Sequence, residues 1–321
     1  MARSSPTPAT IPGGPAGLGN TSPGGVSGRS TALNLFVSLR PGQWTKNLLV
    51  FAGVLFGHRL LEPEALGRAI GAFAIFCALS GVVYLINDVS DREADRRHPL
   101  KAQRPIASGA LPVSTAIGTT FLLGAIGLAG AAALGWRFFL VAATYLALLV
   151  LYSGPLKRIV IIDVLTIAAG FVLRAVAGAV AVSVEISHWL LVCTVLLALF
   201  IALAKRRHEL VLLAGGATGH RPILEEYSPY LLDQMISVVT ASTLIAYIFY
   251  TISPETQEKF GTSWLGLTIP FPLYGIFRYL YLVHQREGGG SPAELLLTDR
   301  PLLICVALWA LAVALIIYRP V

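Results

Sequence analysis

The sequence predicts an all-α polytopic membrane protein with about nine transmembrane helices, and three observations carry that reading. Mean hydropathy is +0.71. Of the 321 residues, 55% are apolar and only 13% charged, whereas a soluble domain carries about a quarter charged residues. Several apolar runs approach the roughly 20 residues a helix needs to cross a bilayer. The formal charge of +7 fits the basic bias of cytoplasmic loops, and no nucleic-acid-binding module is present.

Residues 1–30 are rich in Pro, Gly, Ser and Thr without apolar periodicity, which predicts a disordered tail. No apolar stretch of signal-peptide type follows Arg3. Residues 31–321 are expected to form a single transmembrane catalytic domain. Nine spans are expected, at 44–60, 66–87, 111–134, 137–153, 159–182, 187–204, 235–252, 262–283 and 301–318; the first, fourth and sixth are short. The odd number puts the two ends of the chain on opposite sides. Placing the tail and the loops after even-numbered spans on one side gives that side 17 lysines and arginines, against 5 on the other and 2 inside spans. Such a split puts the tail and those loops in the cytoplasm, in a cell or plasma membrane.

The first span begins with Arg40-Pro41-Gly42-Gln43-Trp44-Thr45-Lys46-Asn47. Trp44 and Lys46 suit interfacial anchoring with no chemistry, yet Gln43, Lys46 and Asn47 sit level with two further polar clusters. The second span runs directly into Asn87-Asp88-Val89-Ser90-Asp91-Arg92-Glu93-Ala94-Asp95. Asn87, Asp91 and Asp95 recur every four residues, which on a helix puts them on one face, with Tyr84 one turn earlier. Carboxylates gathered at a membrane edge need cations, and Mg²⁺ is commonly held by one or two of them plus substrate phosphates. The run therefore reads as a Mg²⁺-diphosphate site, against the plainer reading of a solvated, self-paired helix end. The loop that follows, His98-Pro99-Leu100-Lys101-Ala102-Gln103-Arg104-Pro105, adds cations suited to phosphate.

The fourth span ends in Tyr152-Ser153-Gly154-Pro155-Leu156-Lys157-Arg158 on the same side. Lys157 and Arg158 are either anchors or phosphate ligands. Asp163 lies about one turn into the fifth span, and a charge inside a span is a functional candidate by default. Arg174 follows nearly three whole turns later on the same face, as suited to an internal salt bridge as to substrate. The stretch Lys205 to Tyr227 reads as a connector. Cys77, Cys193 and Cys305 lie in separate apolar runs and read as packing residues. Gly288-Gly289-Gly290 lacks the GK[ST] of a phosphate loop, and the six histidines form no ligand pair.

On these residues the chain resembles the UbiA superfamily of intramembrane prenyltransferases. The motifs are NDxxDxxxD at 87–95, the polar-basic loop, and YxxxxKR after the fourth span, and the resemblance covers about residues 34–318. It implies nine helices around a central cavity, a Mg²⁺-bound diphosphate at the cytoplasmic mouth and an isoprenoid in a lipid-open groove. One departure stands out. Many aromatic prenyltransferases of the superfamily carry a second DxxxD motif, but here Asp163 is followed at the fourth position by Ile167.

The RPxQWxKN start, the PLKR segment and Arg278-Tyr279-Leu280-Tyr281-Leu282-Val283 followed by GGGSPAELLLTDRPLL resemble one branch. Its members move 5-phosphoribose from phosphoribosyl diphosphate onto a polyprenyl (decaprenyl) phosphate for cell-wall arabinan precursors. The resemblance implies Mg²⁺ on Asn87, Asp91 and Asp95, with Asp91, Asp95 and Asp88 catalytic. Substrate would be bound by Lys46, Tyr84, Asn87, Lys101, Arg104, Tyr152, Lys157, Arg158 and Asp163. Two alternatives remain: prenylation of an aromatic acceptor from an allylic diphosphate, and a transporter using Asp163 and Arg174. The sequence leaves a homo-oligomer open.

Overall fold

The computed structural model of the protein describes residues 30–98, 101–185, 188–214, 222–285 and 298–318. The tail at 1–29 and the stretch 286–297 after the late RYLYLV motif lie outside the described residues. Among the described residues there are thirteen α-helices, with 3-10 segments between them, in chain order: α1 Thr31–Ser38, α2 Ala52–Phe56, α3 Pro63–Ser90, α4 Arg92–Arg97, α5 Pro105–Ser108, α6 Val113–Leu134, α7 Trp136–Ser153, α8 Ile162–Ala181, α9 His188–Ala214, α10 Pro229–Ile252, α11 Pro254–Phe260, α12 Pro270–Gln285 and α13 Arg300–Ile317.

Seven of these are long and apolar enough to cross a membrane: α3, α6, α7, α8, α9, α10 and α13. The other two expected spans are broken. Residues 44–60 form a 3-10 helix, Pro41–Phe51, that runs into the short α2; the polar side chains Gln43, Thr45, Lys46 and Asn47 crowd its first turns. Residues 262–283 divide into a 3-10 turn at Trp264–Thr268 and the 16-residue α12. Pro270 lies at that division, where its ring and missing N–H do not allow an uninterrupted helix. In contrast, α9 runs ten residues past its expected end at 204. Its apolar stretch ends there, but Lys, Arg, Glu and Leu are good helix formers.

α3 and α8 form the centre, while α6, α7 and α13 turn most of their surface outward. The outward side chains include Phe121, Leu122, Ile126, Leu311 and Leu315, a surface suited to lipid. Helices in a bilayer gain little from burying apolar surface against each other, so close approach of small residues must hold them. The contacts of α8 with the 3-10 helix Pro41–Phe51 and with α2 show this. A Cβ at Gly178 would fall on the Val50 carbonyl, and one at Gly53 would strike the backbone of Gly178 and Ala179. The short loops make successive long helices antiparallel. The ends of α3, α7 and α9 and the starts of α8 and α10 therefore share one end, called here the acidic end.

Candidate active site

A cavity of about 2830 Å³ opens among these helices. At the acidic end it is lined by Lys46, Tyr84, Asn87, Asp91, Asp95, Lys101, Arg104, Tyr152, Lys157 and Arg158. Deeper in, the wall turns apolar through Leu49, Phe51, Ile167, Phe171, Phe200 and Tyr279. The predicted face survives a break in the helix. α3 stops at Ser90 and Asp91 is its C-cap, but the Asp91 N–H donates to the Asn87 carbonyl and the Asp95 N–H to the Asp91 carbonyl, each at 2.8 Å. The four-residue step is thus kept through the cap, and all three side chains reach one cavity.

Two expected residues do not reach it. Asp88, one step round the helix, is buried and accepts hydrogen bonds from Arg40 and from Arg104, the latter at 3.1 Å. Asp163 is fully buried beneath the mouth, accepting from Arg206 Nε at 2.8 Å and from the Tyr227 hydroxyl at 2.8 Å. Nor does it pair with Arg174. Eleven residues of helix put the two about 16 Å apart, and each finds other partners. Arg174 donates to Asn47 Oδ1 (2.8 Å), the Tyr145 hydroxyl (2.7 Å) and the Gly170 carbonyl (2.8 Å), and its guanidinium lies 4.8 Å from the Tyr145 ring centre. All of those partners are neutral. Both charges are therefore absorbed by the protein's own network rather than presented at mid-membrane, which removes the feature that suggested a transporter.

Cations hold the acidic motif together. Arg104 Nη1 bridges Asp88 and Asp95, at 3.1 and 2.6 Å. Lys157 Nζ reaches from the α7–α8 loop to Asp91 at 3.0 Å. The Arg40 guanidinium, 4.9 Å from the Tyr84 ring centre, pairs with Asp88. Basic groups from three separate stretches of chain thus converge on carboxylates from a fourth.

The donor set fits Mg²⁺ brought in with a phosphate ligand. Asn87, Asp91 and Asp95 offer oxygen atoms to the cavity. Among the described residues, however, no three His, Cys, Asp or Glu side chains form a ready-made cage. Mg²⁺ is typically held through one or two carboxylates with substrate phosphates completing the shell.

The sequence reading missed Arg206, Glu209 and Tyr227. Arg206 sits inside the run Lys205-Arg206-Arg207, which looks like loop charge, yet it is 2% exposed and also donates to Glu209 (2.5 Å) and to the Tyr152 hydroxyl (3.1 Å). The detectable signal is the α-helical period. Arg206 lies four residues after the buried Ala202 and so on the same inward face.

The chain matches the UbiA prenyltransferase family over residues 48–298. It is 33% identical to the decaprenyl-phosphate phosphoribosyltransferase of Corynebacterium glutamicum over 300 residues, covering 90% of this chain and 88% of that one. It is also 33% identical to the decaprenyl-phosphate phosphoribosyltransferase of Mycobacterium tuberculosis, covering 85% and 90%. Among solved structures, a UbiA homologue from Archaeoglobus fulgidus bound to GPP and Mg²⁺ superposes with a TM-score of 0.69 at 23% identity, over 90% of this chain and 99% of that one.

Proposed function

The chain belongs to the UbiA prenyltransferase family, and from that premise we propose that it transfers 5-phosphoribose from phosphoribosyl diphosphate to a polyprenyl phosphate of the decaprenyl type. Pyrophosphate is released, and the lipid product is a cell-wall arabinan precursor. Residues 31–321 are the catalytic domain, and the acidic end faces the cytoplasm, as the 17-to-5 distribution of basic residues supports. Transferase activity follows from the family and its named relatives; the donor and acceptor are the finer reading.

The observation that carries it is the cation surplus at the mouth. Lys46, Lys101, Arg104, Lys157 and Arg158 line the cavity with Asp91 and Asp95, while Asp163, where a second acidic motif would start, is locked onto Arg206. A mouth with one acidic motif and a surplus of basic side chains suits a ligand that brings both a diphosphate and a separate phosphate. A prenyl diphosphate brings only the first.

In this reading Asn87, Asp91 and Asp95 would hold Mg²⁺, which supplies positive charge against the leaving diphosphate. Lys157 and Arg104 swing from carboxylate to phosphate oxygens, where fixed cations favour the charge that develops. Lys46, Lys101 and Arg158 hold the sugar 5-phosphate and the lipid phosphate. An oxygen of the lipid phosphate forms the new bond to C1 of ribose while the C1–oxygen bond to diphosphate breaks, and the diphosphate departs with the electron pair. The lipid phosphate is already ionised, so no general base is needed. The apolar depth of the cavity takes the polyprenyl tail.

The test is a reconstitution with purified protein, Mg²⁺, polyprenyl phosphate and labelled phosphoribosyl diphosphate. Labelled lipid and free pyrophosphate are expected, and chelation of Mg²⁺ should stop both. No transfer here, together with prenylation of an aromatic acceptor from an allylic diphosphate, would overturn the assignment.

A further inference from the structure

The α7–α8 loop that carries Lys157 and Arg158 ends in a strained turn. Ile161 has φ 68° and ψ −43°, and the Ile162 N–H donates to the Val160 carbonyl at 2.8 Å. This is a γ-turn of the positive-φ kind, which is rare and strained, and for a β-branched residue such a φ is an outlier. Strain of this sort persists only where the surroundings over-determine it, and it gathers at functional sites.

The surroundings here centre on one hydroxyl. Tyr227 Oη accepts from the Ile161 N–H at 2.7 Å and donates to Asp163 Oδ1 at 2.8 Å. The other Asp163 oxygen takes Arg206 Nε at 2.8 Å, and Arg206 continues to Glu209 and to the Tyr152 hydroxyl. Tyr227, Asp163 and Arg206 are all buried. Burial pushes the Tyr227 hydroxyl up to about 12, so it stays protonated and remains a donor. The 3-10 segment Pro222–Glu226, just before Tyr227, packs on Leu156–Arg158, and Ile223 and Tyr227 share a core with Val164. The chain leading into α10 is thus fastened to the loop bearing the two cations.

We propose that Tyr227, backed by Asp163 and Arg206, is a positioning residue that holds the strained turn at Ile161 and so fixes Lys157, which serves the diphosphate, and its neighbour Arg158 at the mouth of the cavity. Arg206 lines the cavity but neither Tyr227 nor Asp163 does, so the Tyr227 hydroxyl acts on substrate only through the groups it holds. It rests on the reading that this mouth binds a Mg²⁺-diphosphate.

The experiment uses the full chain in detergent, with inorganic pyrophosphate and Mg²⁺ as the probe and calorimetry as the readout. Tyr227→Phe keeps the ring and removes both hydrogen bonds. It should weaken pyrophosphate binding about tenfold, the scale of one well-placed hydrogen bond, and raise KM for phosphoribosyl diphosphate with kcat little changed. Ile161→Gly, which accepts positive φ without strain, should restore binding in the Tyr227→Phe background, because the turn then no longer needs holding. If Tyr227→Phe alone fails to fold, the double variant should recover both fold and binding. Unchanged binding in Tyr227→Phe, or no recovery with Ile161→Gly, overturns the latch. Absence of pyrophosphate binding by the unaltered protein overturns the underlying site reading instead.

Discussion

Replacing Arg206 by Met and Asp163 by Asn separates a structural ion pair from a ligand site. Both side chains are almost fully buried, at 2% and 0% exposure, but their remaining partners differ. Without Arg206, Asp163 keeps only the Tyr227 hydroxyl as a side-chain donor, and a buried carboxylate is left uncompensated. Breaking a buried pair this way costs about 3–5 kcal/mol. Without the Asp163 charge, Arg206 still has the Glu209 carboxylate and the Tyr152 hydroxyl. The loss is then closer to one charge-assisted hydrogen bond, about 1.5–3 kcal/mol. At roughly 1.5–2 °C per kcal/mol for a chain of this size, Arg206→Met should lower the melting temperature by about 5–10 °C and Asp163→Asn by about 2–6 °C. The double variant should lose less than the sum, because the two residues are in direct contact. Thermal unfolding of the detergent-solubilised protein, followed by tryptophan fluorescence, measures all three. If Asp163→Asn abolishes transfer while its melting temperature stays unchanged, Asp163 is a ligand and the ion-pair argument is wrong.

Three further outcomes follow from the geometry. Asp91→Ala should cut transfer by at least about 100-fold, as loss of one preorganised charge stabiliser does. The protein should stay folded, because the Asp91–Lys157 pair is half exposed and worth at most about 1 kcal/mol; retained turnover would remove Asp91 from the site. Gly178→Ala should destabilise by about 1–3 kcal/mol or more through overpacking against Val50, whereas Ala at Gly118, which has open space around it, should not; melting temperatures decide. Asp299 caps α13 by accepting from the Leu302 N–H at 2.9 Å. Its hydrogen bond to Arg278 holds its carboxyl below the ordinary carboxylate value. A depressed folded-state value means the stabilisation is present above the unfolded pKa of about 3.9 and is lost as pH falls through the folded value. Asp299→Ala should therefore cost about 1 kcal/mol at pH 7, and the difference from the unaltered protein should vanish in acid.

The sequence alone determined the fold class and the shared face of Asn87, Asp91 and Asp95. Apolar runs of membrane length can be read residue by residue, because in lipid each spanning helix must satisfy its own backbone. The four-residue spacing of Asn87, Asp91 and Asp95 carried across the end of α3, because the helical period is a local property. Proximity in space is not local. That Arg104 bridges Asp88 and Asp95, that Lys157 reaches Asp91 from 66 residues away, and that Asp88 turns away from the cavity were decided by how α3, α5 and the α7–α8 loop pack. The same holds for Asp163 and Arg174. A buried charge in a span announces that it needs a partner, but the sequence does not say which one. Only the tertiary structure assigned Asp163 to Arg206 and Tyr227, and Arg174 to neutral groups. The cost of desolvating an ion is offset solely by atoms within a few ångströms of it, and it is the fold that decides which atoms those are.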